Sequence, residues 1–392
     1  MNYLQLFAQL NSLSIEINTS STLPDSTITV EWRQFTSSKE SMTIPCSTKE
    51  PMCHSLGRYA DSLVEENQEF SYPVFLPAKG KTYKRSILLL HGLNEHSWQK
   101  YWTWAHFLCQ NNDVPVILFP ISFHMNRAPE IWTNPRSVFS QMKETEHQQN
   151  ELSNFTTYLN YALSMRLIDD PLRFFTSGQQ SALDIIKLAT QLKGGEIANF
   201  EKETTTDFFA YSIGAFLSQI LMIANPNHLF EQSRFFLFCG GALFCDMHGV
   251  SKHILNSDAF ESIQEFYIKE VPEEIKKETP LGNYLRSNAL GEAFFSMISS
   301  DKNNQMRNDA FEKFSKRLYI VSLTKDCVIP PSGIKAAMCM EQHIGKIRYE
   351  ELDFPYSYTH EIPFPHDAKP EWHPAINRAF EEVFSKAAAF LL

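Results

Sequence analysis

From Arg85 onward the chain alternates short, continuously apolar runs with longer amphipathic segments, and no other feature narrows the fold as far. The runs are "SILLLHG" (86–92), "PVILFPIS" (115–122), "TDFFAYS" (206–212), "RFFLFCGG" (234–241), "RLYIVSLTKD" (317–326) and "KIRYEELDF" (346–354). Strands buried on both faces read as unbroken apolar runs, and strands separated by helices pair in parallel. Helical patterning lies between them, in "SWQKYWTWAHFLCQ" (97–110), "TEHQQNELSNFTTYLNYALSMRL" (145–167), "QQSALDIIKLATQL" (179–192) and "AFLSQILMIAN" (215–225), with a last helix from Pro374. The expectation is an α/β fold, a mostly parallel doubly wound sheet.

Two segments depart from the alternation. Residues 1–84 read as an N-terminal extension of short strands and loops, with β-like alternation in "STITVEWRQF" (26–35). Residues 246–316 are polar, charged and mainly helical, so they read as an insertion between two strands. Such an insertion is placed to act as a lid over the carboxyl edge of the sheet, where ligands of open α/β folds bind. The core is then 85–245 together with 317–392. At 392 residues, with 31 Phe and only 14 Gly, the chain has enough material for one large core.

Charge excludes some partners. The formal net charge of -10 argues against a sequence-independent hold on phosphate backbones, so nucleic acid is not expected. No stretch of about 20 apolar residues occurs, so no transmembrane segment is expected. The opening residues lack the basic and small-residue pattern of a leader, and a cytoplasmic protein is expected. The seven cysteines contain no CxxC pair and read as reduced, mostly buried thiols.

The stretch "FFAYSIGAFLSQ" (208–219) runs from a strand straight into a helix with Ser212 between them, Ala210 two residues before and Gly214 two after. A sharp strand-to-helix turn presents a serine hydroxyl and requires small flanking residues, because the two backbones approach closely. The N–H of Ile213 then lies at the helix start, suited to an oxyanion. Taken alone, Ser212 fits equally a small residue packing a strand on a helix. A second strand ends in His91-Gly92, followed by Leu93 and Asn94.

With that pair the chain resembles the α/β-hydrolase superfamily, whose third strand commonly ends in His-Gly and whose next N–H completes an oxyanion hole. The resemblance implies Leu93 for that N–H, with Asn94 close by, and leaves His91 as a loop brace. It extends to Asp326, at the end of a late strand before Pro330-Pro331, and to a histidine after the final strand. His360, His366 and His373 all satisfy that position; His360 is preferred because it comes soonest after the strand, with His366 second. The resemblance covers roughly residues 85–392, and the order Ser212, Asp326, His360 is the superfamily's.

What it implies is a serine hydrolase of carboxylic esters with a Ser-His-Asp triad, acting on a small-molecule acyl substrate. Metal and organic cofactors are not expected, since neither GxGxxG, P-loop nor HExxH occurs. A peptidase or amidase, an acyltransferase, and a silent hydrolase fold that only binds stay open as alternatives. The loop "FPISFHMNRAPEIW" (119–132) adds His124 and Arg127, with Asn94, as candidate substrate contacts; loop bracing is the other reading. The chain also resembles α/β-hydrolase-like proteins of bacteria in which a similar "HMNRAP" follows the fourth strand, which implies no particular substrate.

Overall fold

The computed structural model describes residues 1–13, 20–23, 27–38, 61–77, 80–149, 154–302, 304–338 and 345–391. Among these residues nine strands form one sheet in the order β1-β2-β3-β5-β4-β6-β7-β8-β9. They are β1 (Ser20–Thr22), β2 (Thr29–Thr36), β3 (Glu69–Leu76), β4 (Tyr83–Leu90), β5 (Val116–Leu118), β6 (Phe200–Tyr211), β7 (Phe235–Phe238), β8 (Leu318–Leu323) and β9 (Arg348–Leu352). From β5 across to β9 every pairing is parallel, while β1, β2 and β3 add antiparallel strands at one edge. This is the mostly parallel, doubly wound α/β sheet that the alternation predicts.

Period-two alternation divides each central strand between two cores. Leu88, Leu90, Phe208, Ala210, Phe235, Leu237 and Ile320 face one layer, and Ile87, Leu89, Phe209, Tyr211, Phe236, Phe238 and Val321 the other. Helices α1 (Tyr3–Ser12), α3 (Gln99–Asn112) and α14 (His373–Phe390) cover the second face. In α14 the buried positions 375, 376, 379, 380, 383, 384, 387 and 388 make a single stripe, as an amphipathic helix requires. The N-terminal helix is anchored on it: Tyr3 stacks on Phe380 at 4.3 Å and Leu4 N–H donates to Asn377 Oδ1 at 3.0 Å.

The other face carries α6 (Leu172–Gly194) and α7 (Ile213–Ala224). Residues 214–223 of α7 are all buried, which follows from helices lying on its far side as well. Those belong to the β7–β8 connection: α8 (Ser257–Glu265), α9 (Val271–Lys276), α10 (Pro280–Ser287), α11 (Ala289–Ser296) and α12 (Asn304–Phe314). Three are started by side-chain caps, Asn256 on α8, Thr279 on α10 and Asn288 on α11. The short α2 (Glu65–Gln68) and α13 (Pro331–Ala337) complete the set with α4 (Pro135–Gln149) and α5 (Tyr161–Asp169).

Two expectations are corrected. The pattern over 145–167 predicts one helix, whereas residues 154–160 are turn and coil and α5 begins at Tyr161. Asn160 ends the intervening turn by bonding Phe155 O at 2.9 Å and Ser251 O at 2.8 Å, a local alternative to the helical ladder. The cysteines are not mostly buried alike: Cys109 and Cys239 are buried, Cys245 is partly so, and Cys327 is exposed, all four as free thiols. Cys46, Cys53 and Cys339 lie outside the described residues. No helix among the described residues is long and apolar enough to cross a membrane.

Candidate active site

The residues that follow β4, β5, β6, β7, β8 and β9 all emerge at the carboxyl edge of the parallel strands, and the site assembles there. Ser212 is the residue between β6 and α7, at φ 57 and ψ -121. A side chain at positive φ outside glycine is strained by about 1–3 kcal/mol, which the surrounding packing must hold in place. The holding contacts are close. A Cβ built on Gly214 would come within 2.7 Å of Leu90 Cβ and 2.9 Å of His91 O, so α7 meets β4 only because position 214 is glycine.

Three side chains from three loops form a continuous relay. Ser212 Oγ lies 2.7 Å from His360 Nε2, and His360 Nδ1 lies 2.7 Å from Asp326 Oδ2. Asp326 Oδ1 accepts from the N–H groups of Val328 at 2.9 Å and Ile329 at 2.8 Å, which fixes the carboxylate plane. All three are at most 5% exposed. His366, the other candidate for this position, is exposed and stacks on Phe7 at 4.5 Å instead. His373 bonds Ala368 O at 3.0 Å at the start of α14.

Several groups that support the relay carry no motif of their own. The Tyr211 hydroxyl donates to the His360 carbonyl, and its ring stacks on the imidazole at 5.5 Å. Lys100 donates to Glu361 O at 3.1 Å and pairs with Glu95, which also accepts from the Tyr101 hydroxyl at 3.0 Å. Cys239 directly follows β7; burial first, and then the Asp326 charge, push its thiol well above its ordinary range. The only sequence signal for any of these is that Tyr211 directly precedes the serine in a strand.

The N–H groups of Leu93 and Ile213, expected as oxyanion donors, make no hydrogen bond within the described residues, and both residues border the cavity that contains Ser212. The first turn of a helix leaves such N–H groups without intrahelical partners, as at Ile213. His91 is fully buried and braces the loop: its Nε2 accepts from Ile121 N–H at 2.9 Å and its Nδ1 donates to Gly92 O at 2.8 Å. Burial chiefly, then the neighbouring His124, lowers its pKa well below the usual range, so the ring is neutral.

The three candidate substrate contacts divide. Asn94 spends its amide donors on Leu159 O at 2.8 Å and His253 O at 2.7 Å, tying the loop after β4 to the turn before α5 and to the β7–β8 connection. Arg127 is 0% exposed and pairs with Asp184 at 2.8 Å, with further bonds to Asn67, Pro120 O and Ser37. Of the two readings the sequence left open for Arg127, substrate contact and loop bracing, these partners support bracing of the loop after β5. Replacing Arg127 by alanine would leave Asp184 buried and unpaired; a loss of about 3–5 kcal/mol in unfolding free energy by urea titration is expected. His124 lines the apolar cavity between α6 and α7, and Asn94 borders the larger cavity beside Glu95 and Lys100.

Two small apolar cavities and one polar one meet around Leu93. A cavity of about 40 Å³ contains Ser212 with Phe244, Met247 and Ile329. The second, about 50 Å³, shares Leu93, Phe174 and Ile213 with the first and runs between α6, α7, α10 and α11. On the other side of Leu93 a polar cavity of about 260 Å³ is lined by Glu95, His96, Lys100, His253 and Glu361 among others. Among the described residues no group of three or more His, Cys, Asp or Glu is gathered so as to hold a metal ion.

No curated protein matches the chain in sequence. Among solved structures it is similar to carboxyl esterase 2 of the mycorrhizal fungus Tuber melanosporum, at 11% identity and a TM-score of 0.47, over 96% of this chain and 92% of that one. It is also similar to a thermostable esterase from Pseudomonas putida, at 9% identity and a TM-score of 0.45, over 100% and 91% of the two chains. A peroxisomal alpha-beta-hydrolase of Saccharomyces cerevisiae is similar at 11% identity and a TM-score of 0.40, over 93% and 90%. Likenesses at these scores add no argument, and the fold class rests on the sheet and the serine turn after β6. A family model, by contrast, matches residues 1–392 end to end, and the chain belongs to that family, described as "Family of unknown function (DUF6051)".

Proposed function

We propose that the chain is a serine hydrolase of carboxylic esters, with Ser212 as nucleophile, His360 as base and Asp326 as the group that orients it. One observation carries the reading: the two 2.7 Å contacts joining Ser212 Oγ, His360 Nε2 and Nδ1, and Asp326 Oδ2, set on a strained strand-to-helix turn. In this reading residues 85–245 and 317–392 are the hydrolase core, 246–316 the lid, and 1–84 an extension of the sheet. The free thiols fit a cytoplasmic, reducing setting.

His360 Nε2 takes the Ser212 proton as Oγ forms a bond to the ester carbonyl carbon. The N–H groups of Leu93 and Ile213 stabilise the oxyanion. As the intermediate collapses the bond to the alkoxy oxygen breaks, and His360 returns the proton to the departing alcohol. Water then attacks the acyl-enzyme with His360 again as base, releasing the acid and restoring the serine. Asp326 fixes Nδ1 as the protonated nitrogen and stabilises the imidazolium formed in each half. The apolar walls beside Ser212 suit the acyl group, and the polar cavity beyond Leu93 suits the alcohol.

The test compares short-chain p-nitrophenyl esters with the matching p-nitroanilides, on the wild type and on Ser212→Ala. Ester hydrolysis that depends on Ser212, with anilide hydrolysis at least about 100-fold slower, is the expected result; the factor corresponds to about 2.7 kcal/mol in the barrier. Faster anilide turnover would make the chain an amidase. Ester hydrolysis equal in Ser212→Ala would remove the serine mechanism.

A further inference from the structure

The first turn of α3 touches both loops that the chemistry needs. On one side, Gly92 N–H donates to the Tyr101 hydroxyl at 3.0 Å, and that hydroxyl donates to Glu95 Oε1 at 3.0 Å. Gly92 and Glu95 bracket Leu93, whose N–H is an oxyanion donor in the esterase reading. On the other side, Lys100 donates to Glu361 O at 3.1 Å, one residue past His360. The same ammonium pairs with Glu95, so Glu95 Oε1 accepts from both Tyr101 and Lys100 and joins the two sides in one network.

The ammonium has little freedom. Lys100 Nζ lies 4.9 Å from the ring centre of Tyr101, 5.8 Å from that of Trp104 and 4.6 Å from that of Tyr211, distances at which ring faces hold a cation. All three rings are fixed by the core, since Tyr101 and Trp104 are fully buried and Tyr211 nearly so. The Tyr211 ring stacks in turn on the His360 imidazole, with 16° between the planes. A Lys–Glu pair about one-fifth exposed adds little to folding stability, because solvent screens it. Set between two loops it acts on geometry instead, and small misplacements of catalytic groups cost rate steeply.

We propose that Lys100, Glu95 and Tyr101 tie the loop carrying Leu93 to the loop carrying His360, holding the oxyanion donor and the base at one fixed separation. The proposal rests on the esterase reading and adds three positioning residues to it. Donor and base must act on one carbonyl group at the same moment in the transition state, whereas the bound ester makes no such demand. Releasing the tie therefore lowers kcat rather than raising KM. Lys100 and Glu95 are two ends of one constraint, so loss of either end releases the same thing.

The experiment measures kcat and KM on p-nitrophenyl butyrate for the wild type, Lys100→Met, Glu95→Gln and the double variant. Each kcat is taken per Ser212 site titrated to completion with a fluorophosphonate, with urea midpoints on the same samples; Lys100→Gln replaces Lys100→Met if that variant does not fold. Each single variant should lose about 10-fold or more in kcat per site, with KM within about twofold. The double variant should lose no more than the worse single one, because two ends of one tie are not additive. Unchanged kcat per site, with or without a lower urea midpoint, marks a merely structural pair and overturns the proposal while leaving the esterase reading intact. A double loss equal to the product of the single losses marks independent supports and overturns it too. So does a rise in KM at constant kcat, which marks a substrate contact. A wild type that neither hydrolyses the ester nor labels at Ser212 removes the esterase reading, and the tie with it.

Discussion

Replacing Ser212 by alanine is expected to lower kcat on an activated ester by about 10⁶-fold, the scale found when the nucleophile of such a relay is removed. The size follows from what Ser212 does: its Oγ is the atom that forms the acyl bond, and no other hydroxyl in the described residues is bonded to the His360 imidazole. Alanine also relieves nothing at φ 57, since it too has a Cβ, so folding should be little changed. Steady-state kinetics on p-nitrophenyl butyrate, with circular dichroism on the same samples, checks both statements. A fall of less than about 100-fold would mean that the chemistry lies elsewhere.

Asp326→Asn carries the second large effect, a loss of about 10⁴-fold in kcat with the fold intact. The carboxylate accepts from three donors: His360 Nδ1 and the N–H groups of Val328 and Ile329. An amide keeps the volume and one acceptor oxygen. If that oxygen stays with Val328 and Ile329, the NH₂ faces His360 and forces the proton onto Nε2, which then has no lone pair for the Ser212 proton. Kinetics of Asp326→Asn beside the wild type tests this, and an unchanged kcat would mean that His360 needs no orienting partner.

Which parts of this could be read from sequence follows from how local each constraint is. The serine turn is local: smallness at 214 is dictated by contact with β4, and both Ala210 and Gly214 sit within two positions of Ser212. The parallel sheet is legible for the same reason, because burial on both faces leaves an unbroken apolar run in each strand. His360 was separable from His366 by position after the strand, yet what holds it, the Tyr211 hydroxyl and Lys100 on the neighbouring carbonyl, arrives from elements 149 and 261 residues away.

Arg127 shows the limit most plainly. An arginine in a loop beside a candidate site suggests an anion, but its partners Ser37, Asn67 and Asp184 lie 90, 60 and 57 residues away, and only the fold brings them to it. Asn94 is similar: its two bonds, to Leu159 O and His253 O, span 65 and 159 residues. The helix expected over 145–167 was misplaced because amphipathic periodicity cannot register Asn160, whose side chain bonds the turn and the segment at Ser251.

The central claim is that Ser212 is activated by His360, and fluorophosphonate labelling read by intact mass and peptide mapping tests it most directly. The account predicts one adduct, on Ser212, in the wild type and in His366→Ala, and loss of labelling by about 10³-fold or more in His360→Ala. An adduct on another residue, or labelling of Ser212 that His360→Ala leaves unchanged, would contradict it.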